Sequence, residues 1–170
     1  RDLAAAMQVS PSSDCVAIAQ NRILEKSWIR KAGLETAPYR VIQAASDISS
    51  ECEPLFPAVL KTAMLGYDGK GQIRVKTLAQ LQAAFATLGN VPCVLEQLVD
   101  LRAEISVIAC RLDDERIATF DPAENHHENG ILAYSVVPAR LPENLLSAAK
   151  QMAVRLANAL NYVGVLAVEM

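Results

Sequence analysis

The sequence predicts an α+β protein of two lobes. Three observations lead there. Helical and strand-like periodicities succeed one another up to about residue 98. Beyond residue 99 the pattern becomes a block of strands around one long helix, which is not a regular βαβ alternation. The densest glycine cluster, MLGYDGKGQ, lies between two strands rather than between a strand and a helix. These divide the chain into a lead-in segment (1–15), a smaller lobe (16–98) and a larger lobe (99–170).

The lead-in ends in polar SPSSD. From Ile18 to Ala32 the apolar residues Ile18, Ile23, Trp28 and Ile29 recur near helical spacing, and Gly33 stops the helix. TAPYRVI is a short strand with Pro38 at its start, where a missing N–H is tolerated. SDISSECEPLF (46–56) is polar and compatible with helix, and PAVLK is a strand ending in Lys61. After the glycine cluster comes the strand IRVK. TLAQLQAAFATL is a helix with Leu78, Leu81, Phe85 and Leu88 on one face, Thr77 as its cap, and Gly89 and Asn90 at its end. PCVLEQLV then runs as a strand into the polar LVDLRAE.

In the larger lobe EISVIACRL is a long strand, Asp113 and Asp114 suit a hairpin, and RIATFDPAEN returns as its partner. HHENG is a polar loop and ILAYSVVPA another strand. Pro142 stands near the start of a helix over 143–160, whose stripe is Leu145, Ala149, Met152, Ala153, Leu156 and Leu160, and Asn161 ends it. YVGVLAVEM is a near-continuous apolar strand, the pattern of a strand covered on both faces. The chain stops one residue after Glu169, in mid-strand, so a truncated domain is expected.

With 52% hydrophobic and 21% charged residues the chain has the composition of a soluble globular protein. Its net charge of -3 and lack of a basic stripe argue against nucleic acid as a partner. No apolar run approaches the roughly 20 residues of a membrane helix, and no signal-peptide pattern opens the chain, so the cytoplasm is the expected compartment. Cys15, Cys52, Cys93 and Cys110 are widely spaced, three of them among apolar neighbours, and read as reduced, buried thiols.

Four places can carry chemistry. Gly66, Gly69 and Gly71 allow backbone N–H groups to face an anion, with Lys61 and Lys70 adding positive charge. A plain hairpin turn is the competing reading, and neither the GxxxxGK[ST] loop nor a dinucleotide fingerprint is present. LEQLVDLRAE offers an extended backbone to an adenine edge and a carboxylate to ribose hydroxyls, or is only a solvated strand end. ENHHENG holds Glu124, Asn125, His126 and His127. Adjacent histidines on a strand point to opposite faces, so one of them turned to a phosphate is favoured over a zinc site. Glu169 closes an apolar run, as a cation ligand or as a strand end reaching water.

In order and spacing, VAIAQNRILEKSWIRKAGLETAPYRV, VLK, GYDGKGQIRV, VLEQLVDLRAEIS, ENHHENGIL and YVGVLAVE resemble the 5-(carboxyamino)imidazole ribonucleotide synthases, ATP-grasp ligases of purine synthesis. The resemblance covers residues ~16–170. It implies an ATP-grasp fold with the nucleotide cleft between its lobes, and ATP and Mg2+ as cofactors. It also implies ATP-dependent carboxylation of aminoimidazole ribonucleotide by bicarbonate through carboxyphosphate. By residue it implies Arg22 and Lys61 on the ATP phosphates, in the catalytic role. Gly66, Tyr67, Asp68, Gly69, Lys70, Gly71 and Gln72 become a flexible flap over them. Glu96, Gln97, Leu98 and Val99 become the adenine hinge, with Glu104 on the ribose, His127 at the nucleotide and Glu169 on magnesium.

Three of the family's features are missing from this stretch: a preceding domain, a second magnesium ligand in an Asn-Glu pair, and the substrate-facing region after it. The 170 residues alone are therefore expected to be inactive, and the full-length protein to form a homodimer. The alternatives are another ATP-grasp carboxylase or ligase, or a non-catalytic nucleotide-binding domain.

Overall fold

The structure, a computed structural model, describes residues 7, 9–66, 70–113, 116–128 and 130–170. It divides into two units: Ile18–Asp100, and Leu101–Met170 together with the stretch ending at Ala17.

In the first unit, four strands form an antiparallel sheet in the order β1-β4-β2-β3: β1 Tyr39–Ile42, β2 Ala58–Thr62, β3 Gln72–Val75 and β4 Cys93–Gln97. One face meets the helix Leu78–Thr87 and a 3-10 segment, Ser50–Leu55. The core there joins Ile42, Ala58, Leu60, Val75, Cys93 and Leu95 to Leu81, Ala84 and Phe85. Full burial of a side chain the size of Leu60 or Phe85 contributes about 1.5–3 kcal/mol. Thr77 caps that helix by accepting the Gln80 N–H at 3.2 Å, and the chain leaves it through Gly89 and Asn90, as the sequence predicts.

The single helix expected over Ile18–Ala32 is instead two: α1 Ser13–Ala19 and α2 Arg22–Lys31. Asn21 makes the break. Its backbone is extended, and its Oδ1 accepts the N–H groups of Ile23 and Leu24, starting a new helix in mid-pattern. The later helices are α3 Leu78–Thr87 and α4 Glu143–Ala159.

The second unit is built on β5 Glu104–Arg111. Along one edge runs β9 Gly164–Glu169; along the other run β6 Ile117–Thr119 and β7 Ala123–Glu128, with β8 Ile131–Val136 beyond β7, all antiparallel. The return strand expected as one piece is thus two, because the buried Pro122, which has no N–H to give the ladder, separates β6 from β7. The expected HHENG loop is mostly strand. His126, His127 and Glu128 pair with β8, with a register shift between the histidines, and residue 129 lies outside the described residues, as does Asp114 of the hairpin.

α4 packs on one face of this sheet through Ala149 and Ala153, whose small side chains admit Ile105, Val107 and Ala109. Ala149, Ala153 and Leu156 face inward as expected, but Leu145 and Met152 are exposed at 49% and 36%, and Leu146 and Ala157 pack inward in their place. β9 is not covered on both faces. Its residues alternate between half-buried and exposed, with Val165 at 64%, because α4 lies on only one side.

Candidate functional site

In the first unit the cationic groups gather at the end of β2. The Arg22 N–H donates to Ala63 O at 2.9 Å, which ties the start of α2 to the residue after β2. Its guanidinium returns to the same place, with Nη1 donating to Thr62 O at 3.0 Å. Two residues of the glycine loop fit this corner by lacking a side chain. A Cβ on Gly66 would lie 3.0 and 3.2 Å from the Arg22 guanidinium nitrogens. Gly71 has φ +72, its carbonyl accepts the Thr62 N–H at 2.9 Å, and a Cβ there would lie 2.7 Å from Thr62 Oγ1. Gln72 opens β3 opposite Lys61, and Lys70 is exposed just before Gly71. Tyr67, Asp68 and Gly69, the middle of the expected flap over 66–72, lie outside the described residues.

Lys61 does not stand alone. Its Nζ is 2.9 Å from Glu96 Oε2, while Lys26 Nζ lies 3.3 Å from Glu96 Oε1. One carboxylate therefore bridges two ammonium groups. Lys26 is not among the residues that the sequence singles out. The signal for it is the four-residue spacing of Arg22, Lys26 and Arg30, which places all three on one face of α2. That face lies on the sheet: Arg22 at Thr62 O, Lys26 at Glu96, and Arg30 over the Tyr39 ring at 4.1 Å.

Past Gln97 the chain leaves the sheet. The Gln97 and Leu98 N–H groups donate to Pro38 O and Pro57 O, at 2.9 and 2.8 Å. Val99 is the first residue of this segment whose N–H has no backbone acceptor among the described residues, and the Leu98 and Val99 side chains are exposed.

In the second unit, the sheet face away from α4 carries Glu104, Ser106, Ile108, Cys110, Val165, Ala167 and Glu169, as the strand alternation and the Ser106–Glu169 register require. The Glu104 carboxylate contacts His127 Nδ1. Asn125, opposite Glu104, accepts the Ser135 hydroxyl at 2.8 Å and that of Ser106 at 3.4 Å. Glu169 is exposed, so its charge keeps its hydration despite the apolar run behind it.

The two histidines take different partners, as expected for neighbours on a strand. His126 stacks on Tyr134 with ring centroids 4.5 Å apart. Its Nε2 is 3.2 Å from Glu124 Oε1, close enough for an ion pair but without hydrogen-bond alignment. The Arg140 backbone N–H, then its guanidinium, hold the Glu124 carboxyl below the usual range, with a smaller contribution from His126. Among the described residues no three His, Cys, Asp or Glu side chains form a metal-holding group. Cys15, Cys52 and Cys93 are buried, and burial pushes the Cys93 thiol up to about 11; Cys110 is half-buried.

An antiparallel four-stranded unit with a glycine loop between β2 and β3, and a second antiparallel unit built on β5 and α4, together define the class. The sequence model of the ATP-grasp domain matches residues 27–170, and the chain belongs to the ATP-grasp family. Within it, the chain is 45% identical over 159 residues to the N5-carboxyaminoimidazole ribonucleotide synthase of Bacillus subtilis strain 168, a match covering 93% of this chain and 42% of that protein. The solved structure of the synthetase from Thermus thermophilus superposes with a TM-score of 0.90 at 32% identity, over 99% of this chain and 46% of that one. An ADP complex of an N5-carboxyaminoimidazole ribonucleotide synthetase gives 0.81 at 43% identity, over 89% and 40%. The chain thus spans about half or less of the length of the proteins it matches.

Proposed function

We propose that the protein carrying this chain carboxylates 5-aminoimidazole ribonucleotide at the expense of ATP, giving 5-(carboxyamino)imidazole ribonucleotide, ADP and phosphate in purine synthesis. The observation that carries the reading is the 45% identity, sustained over 93% of the chain, to a protein of that name. A bicarbonate oxygen attacks the γ-phosphorus, and the bond to the β,γ-bridging oxygen breaks, releasing ADP. The exocyclic amine then takes the carbon of carboxyphosphate, directly or as carbon dioxide. Phosphate leaves with the C–O electron pair, and the nitrogen loses a proton.

The chemistry of each group supports a role. Arg22 and Lys61 neutralise the transferring phosphoryl group, and positioned charge of this kind is the main catalytic means for phosphoryl transfer. Gly66, Tyr67, Asp68, Gly69, Lys70, Gly71 and Gln72 cover the phosphates, and water exclusion protects an acyl phosphate. Glu96, Gln97, Leu98 and Val99 border the adenine. With the Gln97 and Leu98 N–H groups already engaged, Val99 is the donor left for the base. Glu104 accepts from the ribose hydroxyls, and His127, which it contacts, borders the nucleotide. Glu169, exposed and with no partner for its carboxylate among the described residues, fits as one ligand of Mg2+, which would supply charge neutralisation there. Residues 16–98 and 99–170 form the smaller and larger lobes of this reading.

A cytoplasmic location and a homodimer belong to the same proposal. No described helix is long and apolar enough to cross a membrane. The test is ADP release by the purified full-length protein. The reading requires both bicarbonate and aminoimidazole ribonucleotide for full turnover. ADP release that neither stimulates would refute it, and no ADP with all substrates present would favour a binding domain.

A further inference from the structure

The bridge between Lys26, Glu96 and Lys61 is asymmetric. The Lys26 side chain is 12% exposed and Lys61 27%, against 12% for the Glu96 carboxylate between them. Lys26 is held twice more, by the helix that carries it and by the Tyr39 ring, 5.2 Å from its Nζ. Glu96 is the one ionic partner of Lys61 among the described residues. The charged and titratable groups near the carboxylate are Lys26 and Arg30 from α2, Lys61 from β2 and Tyr39 from β1, its register partner.

If Lys61 is to meet a phosphate, it must first leave Glu96. Without compensation, that departure would strand a largely buried carboxylate, a costly state. We infer that Lys26 is a positioning residue that keeps Glu96 neutralised while Lys61 is handed from Glu96 to the nucleotide phosphates. The inference rests on the nucleotide reading above and adds a residue to it. Lys26 touches neither substrate nor reacting atoms; it acts through Glu96. The more exposed and singly held lysine is the one that moves, and the buried, doubly held one stays.

The consequence is a proton. In Lys26→Met, release of Lys61 leaves Glu96 without an ion-pair partner, Arg30 being engaged over the Tyr39 ring, and the carboxylate takes up a proton when nucleotide binds. A side chain that merely packs α2 against the sheet would weaken binding without moving any proton. The experiment is calorimetric titration of Mg-ATP into the purified wild-type protein and its variants, in buffers of different ionisation enthalpy, with urea unfolding alongside. Lys26→Met is expected to bind about tenfold more weakly and to take up as much as about one proton more than wild type. Lys26→Arg, which keeps the charge, should restore both values. Lys26→Met/Glu96→Gln, which has no carboxylate to strand, should lose the extra proton, whatever the change at Glu96 does to affinity. Lys26→Met with unchanged affinity and proton count, or a double variant that keeps the extra proton, overturns the inference while leaving the nucleotide site standing. A wild-type protein that binds no Mg-ATP overturns both.

Discussion

Gly71→Ala tests the corner where β2, β3 and the glycine loop meet. Two costs add. An L-residue at φ +72 is disfavoured by about 1–2 kcal/mol. The new Cβ, 2.7 Å from Thr62 Oγ1, also forces that side chain off its rotamer, costing about 0.5–1.5 kcal/mol. Against these, alanine restricts the unfolded chain and returns about 0.4–1 kcal/mol. The net loss is about 1–2.5 kcal/mol. Thr62→Ala removes the clashing oxygen but leaves the backbone strain, so in that background the same substitution should cost less by about 1 kcal/mol. Urea unfolding of the four proteins gives both numbers. Equal costs in the two backgrounds would refute the contact, and a Gly71→Ala protein as stable as wild type would refute the strain as well.

Other consequences follow from the same geometry. On the proposed reading, Lys61→Ala in the full-length protein should mainly lower kcat, by about a hundredfold or more, since there its charge would matter most as phosphoryl charge builds up. Glu104→Ala should mainly raise the KM for ATP, on the scale of about 1.5–3 kcal/mol, because the ribose is unchanged by the reaction; steady-state kinetics separate the two. Asp47 accepts the Gln43 and Ala44 N–H groups at 2.7 and 2.9 Å, and these bonds, that of Ala44 first, hold its carboxyl below the usual value. A carboxyl lowered on folding stabilises above its unfolded value, about pH 4, and that stability is lost as pH falls through the folded value. Asp47→Asn should therefore be less stable than wild type at about pH 6 to 7, with the difference closing in acid, as urea midpoints across pH will show. In native protein, timed alkylation should modify the half-buried Cys110 before Cys93, whose thiol is raised and buried; the reverse order would contradict the burial of Cys93.

What is legible in the sequence is what local chemistry decides. Thr77, Leu81, Phe85 and Gly89 mark α3 because a cap, an apolar stripe and a stop all act within one helix. The glycine cluster between two strands is likewise a local signal. The break at Asn21 is hidden because the apolar rhythm continues across it while the cap acts through one side-chain oxygen. The second half of β7 reads as a loop because His126, His127 and Glu128 show no apolar alternation; pairing with β8 makes it strand. The stripe of α4 is displaced by one flank, since Leu145 and Met152 fit the period as well as Leu146 and Ala157 and only the sheet chooses between them. Lys26 and Glu96 lie far apart in sequence, and their pairing needs the register that sets Glu96 between β1 and β2. Arg22 stands out only through resemblance; Lys61, Glu104 and Glu169 are candidates by their own chemistry, but their roles at a nucleotide come only with it.

The central claim, ATP-dependent carboxylation through carboxyphosphate, is tested most directly by following bicarbonate oxygen. With bicarbonate labelled with oxygen-18, attack of one of its oxygens on the γ-phosphorus and later cleavage of the C–O bond leave that oxygen in phosphate. The purified full-length protein, given ATP, magnesium and aminoimidazole ribonucleotide, should release phosphate carrying label from bicarbonate as the carbamate forms. Unlabelled phosphate released alongside the carbamate would contradict the account.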